Sequence, residues 1–471
     1  MSINDLPSSI QSVIQQGYLE RRFRDPLKAR LGFRSIAERV PFTSGIGETV
    51  TKTRTGLLPP VTVPMAPAAV GDITSGLTNQ QYGNEQFILS IAQYAGTMQL
   101  NVTTSRVAIA SLFLRNAYTL GEQAARSVDT IAQLALFGGY MGGNTRVTTT
   151  LGSPAASIKV DDVRGFIQTL NAQGTPVGVS SGNPLGVTVG GDVYSLTGVI
   201  ADGPAPSQIP SWIAGLAFSG SGSNTSTAPG GYSGTLTFAS NVSVADGTAG
   251  QPVVSATAPQ IQRPLNNTTG VMASTTAAIS QANDANGGRL TIQSILEAKA
   301  TLKANNVPVV AETGLYHCYL DPIHVTGLYS DPMFQSFFRG REETPEYRDG
   351  EVARLLGVRL IETNLNPVQN FAGVGTVRRA IVCGDGALVE GTFSREGYEA
   401  ANEVDDGNLT EVVDDIALIT REPIDALKQV VTQTWSYIGG FVVPTDLTAS
   451  PTTIPTASNA AYKRAVIVES L

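Results

Sequence analysis

The chain has 471 residues and carries 31 Lys and Arg against 39 Asp and Glu, a formal net charge of −8 at pH 7. This balance excludes a protein whose main task is to coat nucleic acid, because duplex binding draws its affinity from Lys and Arg that neutralise phosphates. Only 15% of the residues are charged, against about 25% in typical soluble domains. Much of the polar surface is therefore neutral, which suits surfaces buried between subunits.

The two cysteines, Cys318 and Cys383, are too few for a disulfide framework and lack metal-ligand spacing. We expect both to be buried. The sequence has no run of 18 apolar residues, and its first 16 residues lack the basic region and apolar stretch of a signal peptide. These observations predict a soluble product made in the cytoplasm, with no metal and no cofactor.

A basic segment runs from Glu20 to Arg39 after a short amphipathic start. It has seven basic and three acidic residues, a local charge of +4. Charge runs are usually solvated, salt-bridged faces, and this interpretation stays open. The alternative is an arm that lies on a neighbouring subunit, for which the contact candidates are Arg21, Arg22, Arg24, Arg30 and Arg34.

Residues 46–93 have the pattern of a long extended hairpin. The first limb alternates β-branched and polar residues, and the second returns after a Pro- and Gly-rich tip between Pro59 and Gly76. A two-stranded hairpin buries too little surface to be stable alone. We therefore expect it to lie against another molecule, with Lys52 and Arg54 as contact candidates.

A helix is predicted at Thr119–Phe137, and it needs a sheet or another helix to cover its apolar stripe. The stripe recurs at steps of three and four residues and consists of Leu120, Ala124, Val128, Ile131 and Leu134. Thr119 and Glu122 have the spacing of a capping box, and Gly138 and Gly139 mark the predicted end. The preceding apolar segment is also helix-compatible, so a bent pair and one long element both stay open.

A short helix is predicted at Asp161–Ala172, before a change in composition. Residues 175–262 contain three acidic residues and no Lys or Arg. Short alternating runs separated by Gly, Pro and Ser are typical of a small β-sandwich or barrel. The segment is therefore predicted to be an inserted all-β domain.

Helix and strand patterns alternate in the last third of the chain. A helix at Thr291–Ala304 precedes two predicted strands, which are separated by a helical segment bent near Pro332 and by a charged loop. The contact candidates at the end of the helical segment and in the charged loop are Arg339, Arg341, Glu342 and Glu343. An acidic loop at 396–415 contains eight carboxylates and precedes long strands up to residue 443. This mixture predicts an α+β fold.

Several stretches resemble one known family in wording and order. They are QYGNEQFILS, LGEQAARSVDTIAQLAL, GRLTIQSILEAKATLKANNVP, YHCYLDPIHVTGLYSDPMFQ, LLGVRLIETN and REPIDALKQVVTQTW. Together they resemble the major capsid proteins of tailed double-stranded DNA bacteriophages, which have the Hong Kong 97 fold. The resemblance covers nearly all of the chain outside 144–288, and none of its motifs is a catalytic signature.

The resemblance implies a division of the chain around a spine helix at 119–137. The implied parts are an N-terminal arm (1–45), an extended loop (46–93), a peripheral domain (94–174), an inserted β-domain (175–262), the peripheral domain continued (263–309), an axial domain (310–395), and a last part with the acidic loop, the return to the peripheral domain and the C-terminal tail (396–471).

The resemblance also implies a structural function, in which many copies self-assemble into an icosahedral shell around the phage genome. The implied partners are further copies of the chain in hexamers and pentamers, portal and scaffolding proteins, and packaged double-stranded DNA on the inner face, with decoration proteins as a further candidate. The chain would be assembled in the host bacterial cytoplasm and end in the virion, without cofactor or membrane. Some members cross-link a loop lysine to a neighbour, but the reacting pair is not matched here, so Lys52 counts as a surface lysine.

Two alternatives stay open beside a phage capsid. Within the same fold, the chain could form an encapsulin-like nanocompartment shell around protein cargo; from another class, it could be a secreted β-rich hydrolase or adhesin. Residues 178–182 match the G-x-S-x-G nucleophile elbow, with His317 or His324 downstream. The elbow needs a helix after the serine, and a strand pattern follows instead, so no catalytic residue is predicted.

The two charge blocks suggest how subunits meet. The arm carries +4 between Glu20 and Arg39, and residues 396–415 carry −8. We expect opposite charges from these segments to pair across subunit contacts, with Asp405 and Asp406 as the candidates in the acidic loop. The competing interpretation is that the arm faces the packaged genome and neutralises phosphates.

Overall fold

The computed structural model describes residues 23, 32–42, 49–55, 60–62, 64, 84–101, 109–170, 176–207, 215–256, 258–259, 261–264, 288–338, 354–371, 375–393, 408–421, 430–444 and 463–471. These residues mix helices and strands, so the predicted α+β class is confirmed. Strands are numbered β1–β24 and helices α1–α4 along the chain. The chain divides into two compact units: unit 1 consists of Met1–Val50, Ile88–Leu136 and Leu388–Val442, and unit 2 of Thr51–Phe87, Phe137–Ala387 and Val443–Leu471.

Unit 1 contains a six-stranded sheet around one long strand. Its strands are β1 (Ala37–Phe42), β4 (Ala92–Asn101), β20 (Leu388–Phe393), β21 (Asn408–Val413), β22 (Ile416–Arg421) and β23 (Val430–Val442). Their order is β1-β20-β23-β22-β21, with β4 also paired to β23. β1 runs parallel to β20, and the other pairs are antiparallel. A 3-10 turn at Phe33–Ile36 leads into β1.

The ladder between β4 and β23 joins distant parts of the chain. It pairs the whole of Ala92–Asn101 with residues 430–439. The hydroxyls of Thr97 and Thr434 hydrogen-bond at 2.8 Å although they are 337 positions apart. The segment of β23 is rich in Val, Thr, Trp and Tyr, which pack well on a pleated surface. Unit 1 is therefore completed only when the chain returns after residue 387.

The central helix is a single element, α1 (Ile109–Met141), of 33 residues. Of the two alternatives, one long element is confirmed. The predicted start at Thr119 is wrong, because its hydroxyl donates to the Arg115 carbonyl at 2.9 Å inside the helix. The predicted end at Gly138 and Gly139 is also wrong. A Cβ on Gly139 would lie 2.6 Å from the Cβ of Val443, so this glycine permits close packing rather than a helix end.

The buried face of α1 agrees only in part with the predicted stripe. Leu120, Ala124 and Val128 are buried, whereas Leu134 is 37% exposed and Ile131 is half-buried. The buried face continues instead through Ala132, Ala135 and Leu136. These positions follow Val128 by four, seven and eight residues, the spacing that keeps one face of a helix with 3.6 residues per turn.

The first sheet of unit 2 has seven strands: β5 (Asn144–Arg146), β6 (Ala155–Val160), β9 (Leu185–Val189), β10 (Asp192–Ala201), β11 (Ala217–Phe218), β12 (Gly234–Val242) and β13 (Pro252–Ser255). Six of them are antiparallel in the order β5-β13-β9-β10-β12-β6, and β11 pairs with β10 beside this order. The first and last strands of this order also meet. Val147 forms an antiparallel bridge with Val160, and the Thr148 N–H donates to the Lys159 carbonyl at 2.9 Å. The sheet therefore closes into a barrel, whose interior is filled by apolar side chains.

The barrel differs from the predicted inserted domain, because its strands begin at Asn144 rather than after residue 175. The predicted helix at Asp161–Ala172 is wrong. The described residues there form turns and the strand β7 (Gln168–Leu170), which pairs with β8 (Pro176–Gly178). The apparent helical period arises because Val163 and Phe166 turn into the barrel core. That this domain is an insertion stays a prediction.

The strands of a second sheet in unit 2 are β14 (Ile261–Gln262), β15 (Tyr316–Leu320), β16 (Arg354–Leu355), β17 (Val358–Glu362), β18 (Val368–Phe371), β19 (Gly375–Cys383) and β24 (Ala465–Ser470). Their order is β14-β24-β19-β15-β17-β16, with β18 also paired to β19. The helices in the described residues of this unit after the barrel are α2 (Ile292–Ala304), α3 (Pro322–Ser330) and α4 (Pro332–Phe338). Thr291 caps α2, as predicted, by accepting the Ser294 N–H.

The strand β24 lies inside this sheet rather than in a tail. It runs parallel to β14 and antiparallel to β19, and all six of its residues are buried. The predicted axial range 310–395 therefore does not coincide with one sheet, because β14 and β24 complete it from outside that range and β20 belongs to unit 1. Such long-range pairing leaves no local signal in the sequence.

The two limbs of the predicted hairpin are present as β2 (Thr49–Thr55) and β3 (Asn84–Ser90), which form a two-stranded sheet. Most of the predicted tip lies outside the described residues, and the described positions 60–62 and 64 are exposed. Contact of the hairpin with another molecule stays a prediction.

Replacing Gly165 by Ala should destabilise unit 2. Gly165 has φ +81°, and a Cβ there would lie 2.0 Å from the backbone nitrogen of Gly143. That nitrogen donates to the Arg164 carbonyl at 2.7 Å, so the close approach is built into the exit from α1. We expect a loss of at least ~2 kcal/mol in the free energy of unfolding, from the left-handed backbone and the clash together. Urea unfolding of the full chain measures it.

Gly152→Ala is the matched control, because no atom lies within 4 Å of the Cβ that it would add. It should change stability by less than ~0.5 kcal/mol. Equal unfolding midpoints for the two variants would contradict the prediction.

Candidate functional site

A buried ion-pair cluster fastens the segment before β1 to the sheet of unit 1. We call it the arm anchor: Arg34, Arg39, Glu390, Asp415 and Tyr437. The Arg34 side chain is 2% exposed; its Nε donates to Glu390 Oε1 at 2.7 Å and its Nη2 to Asp415 Oδ2 at 3.3 Å. Glu390 lies in β20 and Asp415 lies between β21 and β22, so one guanidinium joins three parts of the chain.

Glu390 is the acceptor at the centre of the arm anchor. Its side chain is fully buried, and Oε1 also accepts from the Tyr437 hydroxyl at 2.9 Å. The Arg39 Nε lies 3.6 Å from Oε2. Burial raises the pKa of Glu390, while the charge of Arg34 and the hydrogen bond from Tyr437 oppose that shift. Without Arg34 this carboxylate would be left buried and far less compensated.

The turn between β21 and β22 is held by the same arginine. Asp414 and Asp415 have φ of +49° and +64°, as the two central residues of a type I′ turn do. Asp tolerates this region because its short polar side chain bonds locally. Arg34 Nη1 donates to the Asp414 carbonyl at 2.8 Å, so the arginine binds the turn through both backbone and side chain.

The side chain of Asp129 in α1 binds the backbone of the same segment before β1. Its Oδ1 accepts the Phe33 N–H at 2.7 Å, and the side chain is 2% exposed. Burial raises the pKa of Asp129 to about 6, and the backbone N–H groups of Phe33, Arg34 and Gly32 oppose that shift. The helix and the segment before β1 are therefore joined by a carboxylate that titrates in an accessible pH range.

The structure describes three of the thirteen contact candidates predicted from the sequence. Lys52 and Arg54 lie in β2, and the Lys52 side chain is half-buried. Arg34 requires a correction, because it is buried and its ion-pair partners belong to the same chain. The candidates outside the described residues are Arg21, Arg22, Arg24, Arg30, Arg339, Arg341, Glu342, Glu343, Asp405 and Asp406.

Opposite charges from the arm and the acidic segment do meet, but here they meet within one chain. Arg34 Nη2 lies 3.3 Å and Arg39 Nη1 lies 3.9 Å from Asp415 Oδ2. For these residues the described ion pairs lie within one chain, because the 3-10 turn before β1 brings them to the β21–β22 turn. Pairing of the two charged segments across subunits stays a prediction.

Sequence reasoning missed Glu390 and Asp129. Glu390 stands inside the apolar run ALVEGTF, and Asp129 inside SVDTIAQLAL. A carboxylate inside an apolar run is expected to be buried with its neighbours, and buried carboxylates are rarely found unpaired. The sequence therefore indicates that each carboxylate has a partner, but it does not identify the partner residue.

The local structure around Ser180 does not match the nucleophile elbow that the sequence motif formally suggests. Ser180 and Asn183 exchange two backbone hydrogen bonds of 3.1 Å, and the strand β9 follows this turn. The strand-turn-helix geometry of a nucleophile elbow is therefore contradicted. His324 is buried and its Nδ1 accepts the Asp321 N–H at 3.2 Å, while burial lowers the pKa of His324 to about 4.

Both cysteines are buried as predicted, and burial raises the pKa of each thiol. Buried neutral thiols are inert. Among the residues that the structure describes, no group of three His, Cys, Asp or Glu side chains could hold a metal ion. None of the described helices is long and apolar enough to cross a lipid bilayer.

No family model and no curated protein matches the sequence. The chain is similar in structure to solved phage capsids, among them the following three. The Ralstonia phage GP4 capsid has 11% identity and a TM-score of 0.47, with 94% of this chain and 90% of that chain covered. The cyanophage Pam1 capsid has 12% identity and a TM-score of 0.45, covering 95% and 92%. The cyanophage P-SCSP1u capsid has 11% identity and a TM-score of 0.42, covering 93% and 87%.

Replacing Arg34 by Met should destabilise unit 1 by about 3–5 kcal/mol, because it leaves the Glu390 carboxylate buried without its nearest cation. Adding Glu390→Gln in the same chain should recover a large part of the loss, since a neutral amide can still accept from Tyr437. A double-mutant cycle on urea unfolding measures the coupling. Arg39→Met is the matched control: its side chain is 50% exposed, and it should cost less than ~1 kcal/mol. Equal losses at both arginines would contradict the role of Arg34 as the main partner of Glu390 in the arm anchor.

Replacing Asp129 by Asn should remove part of the pH dependence of stability. The folded pKa is about 6, against about 4 in an unfolded chain. Protonation is thus favoured in the folded state, and the stability it contributes is full below pH ~4 and lost as pH rises through about 6. A shift of about two units corresponds to about 3 kcal/mol. Unfolding free energies of both chains between pH 4 and 8 test this.

The difference in the free energy of unfolding between the unchanged chain and Asp129→Asn should change between pH ~4 and ~6 and be constant above pH ~7. Glu362→Gln, an amide substitution at an exposed position of β17, should leave the profile parallel to that of the unchanged chain. A parallel profile for Asp129→Asn as well would disprove the role of Asp129.

Proposed function

We propose that this chain is the major capsid protein of a tailed double-stranded DNA bacteriophage. In this function, many copies self-assemble into an icosahedral shell that holds the genome. The first support is the sequence itself, whose ordered stretches outside 144–288 resemble that family. The function is structural, and its working parts are surfaces rather than a catalytic centre.

The observation that carries the proposal is the assembly of unit 1 from three separated parts of the chain. α1 and β4 precede the barrel, whereas β20 to β23 follow residue 387. β4 and β23 nevertheless pair over their shared length. The resemblance requires such a return, because it places the long strands of the peripheral domain near residues 415–443, after the axial domain. The order of elements in the described chain supports the proposal.

The hairpin β2–β3 supports an assembling subunit. A two-stranded sheet is at best marginally stable alone in water, and Val61 beyond β2 is 76% exposed. The chain is also poor in charge, with 15% charged residues in the whole sequence. On a neighbouring subunit, such a hairpin would bury apolar side chains and satisfy its polar groups.

The finer parts of the proposal follow from the resemblance. The lattice would contain hexamers and pentamers, with portal and scaffolding proteins as partners and decoration proteins as a further candidate. Double-stranded DNA would lie on the inner face, and the chain would be assembled in the host cytoplasm and found in the virion. With a net charge of −8, any contact with DNA would be local.

An encapsulin-like nanocompartment shell is the second candidate, because the same resemblance in fold would accommodate it. The two differ in cargo, which is DNA in the first case and protein in the second. A hydrolase is disfavoured by the turn at Ser180, which leads into β9 rather than into a helix.

Electron microscopy of the full chain, expressed with its scaffolding protein and purified, tests the proposal. We expect closed shells, and a variant lacking residues 52–80 should stay soluble and folded but fail to close, because the hairpin would no longer reach a neighbour. Shells filled with protein cargo would favour the nanocompartment. Monomers that never assemble would overturn the proposal. Normal shells from the deletion variant would overturn the role of the hairpin.

A further inference from the structure

The strand β4 of unit 1 has one open edge. It pairs with β23 along its whole length, Ala92–Asn101, and no described strand pairs with its other edge. In an antiparallel ladder, alternate residues direct their N–H and C=O groups to one neighbour, and the residues between them direct theirs to the other side. About half of the backbone polar groups of β4 are therefore directed away from β23.

The side chains of β4 are accessible as well. Leu100 is the one buried residue of the strand, and the residues Gln93, Ala95, Thr97 and Gln99 are exposed on a shared face. Two of these exposed side chains bind β23: Gln93 Nε2 donates to Ser436 Oγ at 3.1 Å, and the hydroxyls of Thr97 and Thr434 hydrogen-bond. The strand is thus held on one side and can be reached by another molecule on the other.

The two other outer strands of this sheet are protected against further pairing, whereas β4 is not. β1 has six residues, among them Glu38, Arg39 and Pro41, and β21 has six residues with Glu411. Charges, proline and short length are the features by which natural proteins protect sheet edges. β4 has ten residues without charge or proline, and its register with β23 is continuous. Such an edge is expected to be covered by another strand.

The composition of β4 favours a second copy of itself as the covering strand. When two identical strands pair antiparallel about a two-fold axis, residues near the axis lie opposite their own counterparts. Like charges that lie directly opposite each other destabilise such a pair. β1 and β21 carry Arg39 and Glu411 near their centres, whereas the centre of β4 reads AGTMQ and is neutral. Of these three strands, β4 is the one whose sequence suits self-pairing.

We propose that two copies of this chain pair through their β4 strands, antiparallel about a two-fold axis at Gly96 or Thr97. An axis at either residue keeps exposed side chains opposite exposed side chains, because side chains alternate between the two faces of a strand. The contact would join the two unit 1 sheets into one and use both open edges, so that pairing stops at a dimer. It goes beyond the shell function proposed above, because the dimer would form whether or not shells close.

Cysteine cross-linking of the full chain tests the proposal. Cys318 and Cys383 are buried and therefore inert, so that an introduced thiol reacts selectively. We expect Thr97→Cys to give covalent dimers with a short bismaleimide, and the cross-link to join residue 97 of both copies. Ser157→Cys is the matched control, because Ser157 is exposed on the strand β6 of the barrel. It should stay monomeric at the same concentration.

A charge at the proposed axis is the second test. Thr97→Lys places two ammonium groups close together across the axis, and it should weaken self-association about fivefold in sedimentation equilibrium, because opposed like charges are destabilising. Thr97→Gln is the control at the same position. It loses the same hydroxyl, which bonds to Thr434, but adds no charge, so it should associate as the unchanged chain does.

Four results would overturn the proposal. They are an unchanged chain that stays monomeric at its highest soluble concentration, cross-linking of Thr97→Cys no faster than that of Ser157→Cys, a cross-link from residue 97 to a segment of the second copy other than β4, and equal association of Thr97→Lys and Thr97→Gln. If Thr97→Lys does not fold, the cross-linking result decides alone.

Discussion

Two opposite charges that are both removed from water depend on each other, because either one alone would be an isolated buried charge. In unit 1 this constraint applies to Arg34 and Glu390, which lie 2.7 Å apart. The pair fixes the segment before β1 against β20 and against the turn at Asp414 and Asp415. Asp129 holds the same segment from the helix. The segment from residue 32 to β1 is therefore held within unit 1, and contact of the preceding residues with a neighbouring chain stays a prediction.

The same constraint recurs in unit 2 with a different outcome. Glu469 sits in β24, between β14 and β19, and accepts from both Arg379 and Arg263. The carboxylate helps to place the last strand in the middle of the sheet, but it is shared by two cations. Such buried pairs give each unit one arrangement, which the proposed capsid subunit would need if its outer surfaces are to match those of many copies.

Local patterns in the sequence predicted the α+β class, the two hairpin limbs, the buried cysteines and the capped helix α2. These local patterns failed where contacts between residues far apart in the sequence determine the structure. The apolar spacing at 161–172 imitates a helix because Val163 and Phe166 turn into the barrel, and nothing local marks β24 as a central strand. The basic segment from Glu20 to Arg39 also gives no sign that Arg34 is buried. Its partner Glu390 carries only an indirect signal, a carboxylate inside an apolar run.

We infer that each subunit of the proposed shell binds its own segment before β1 through Arg34 and Glu390 and contacts its neighbours through extended parts of the chain. A cryo-EM map of the assembled particle, at a resolution that shows side chains, tests this most directly. We expect Arg34 and Glu390 of the same chain to be paired, with the hairpin of residues 46–93 lying on an adjacent subunit. A particle in which Arg34 pairs with Glu390 of a different chain, or in which the hairpin packs only on its own subunit, would contradict the claim.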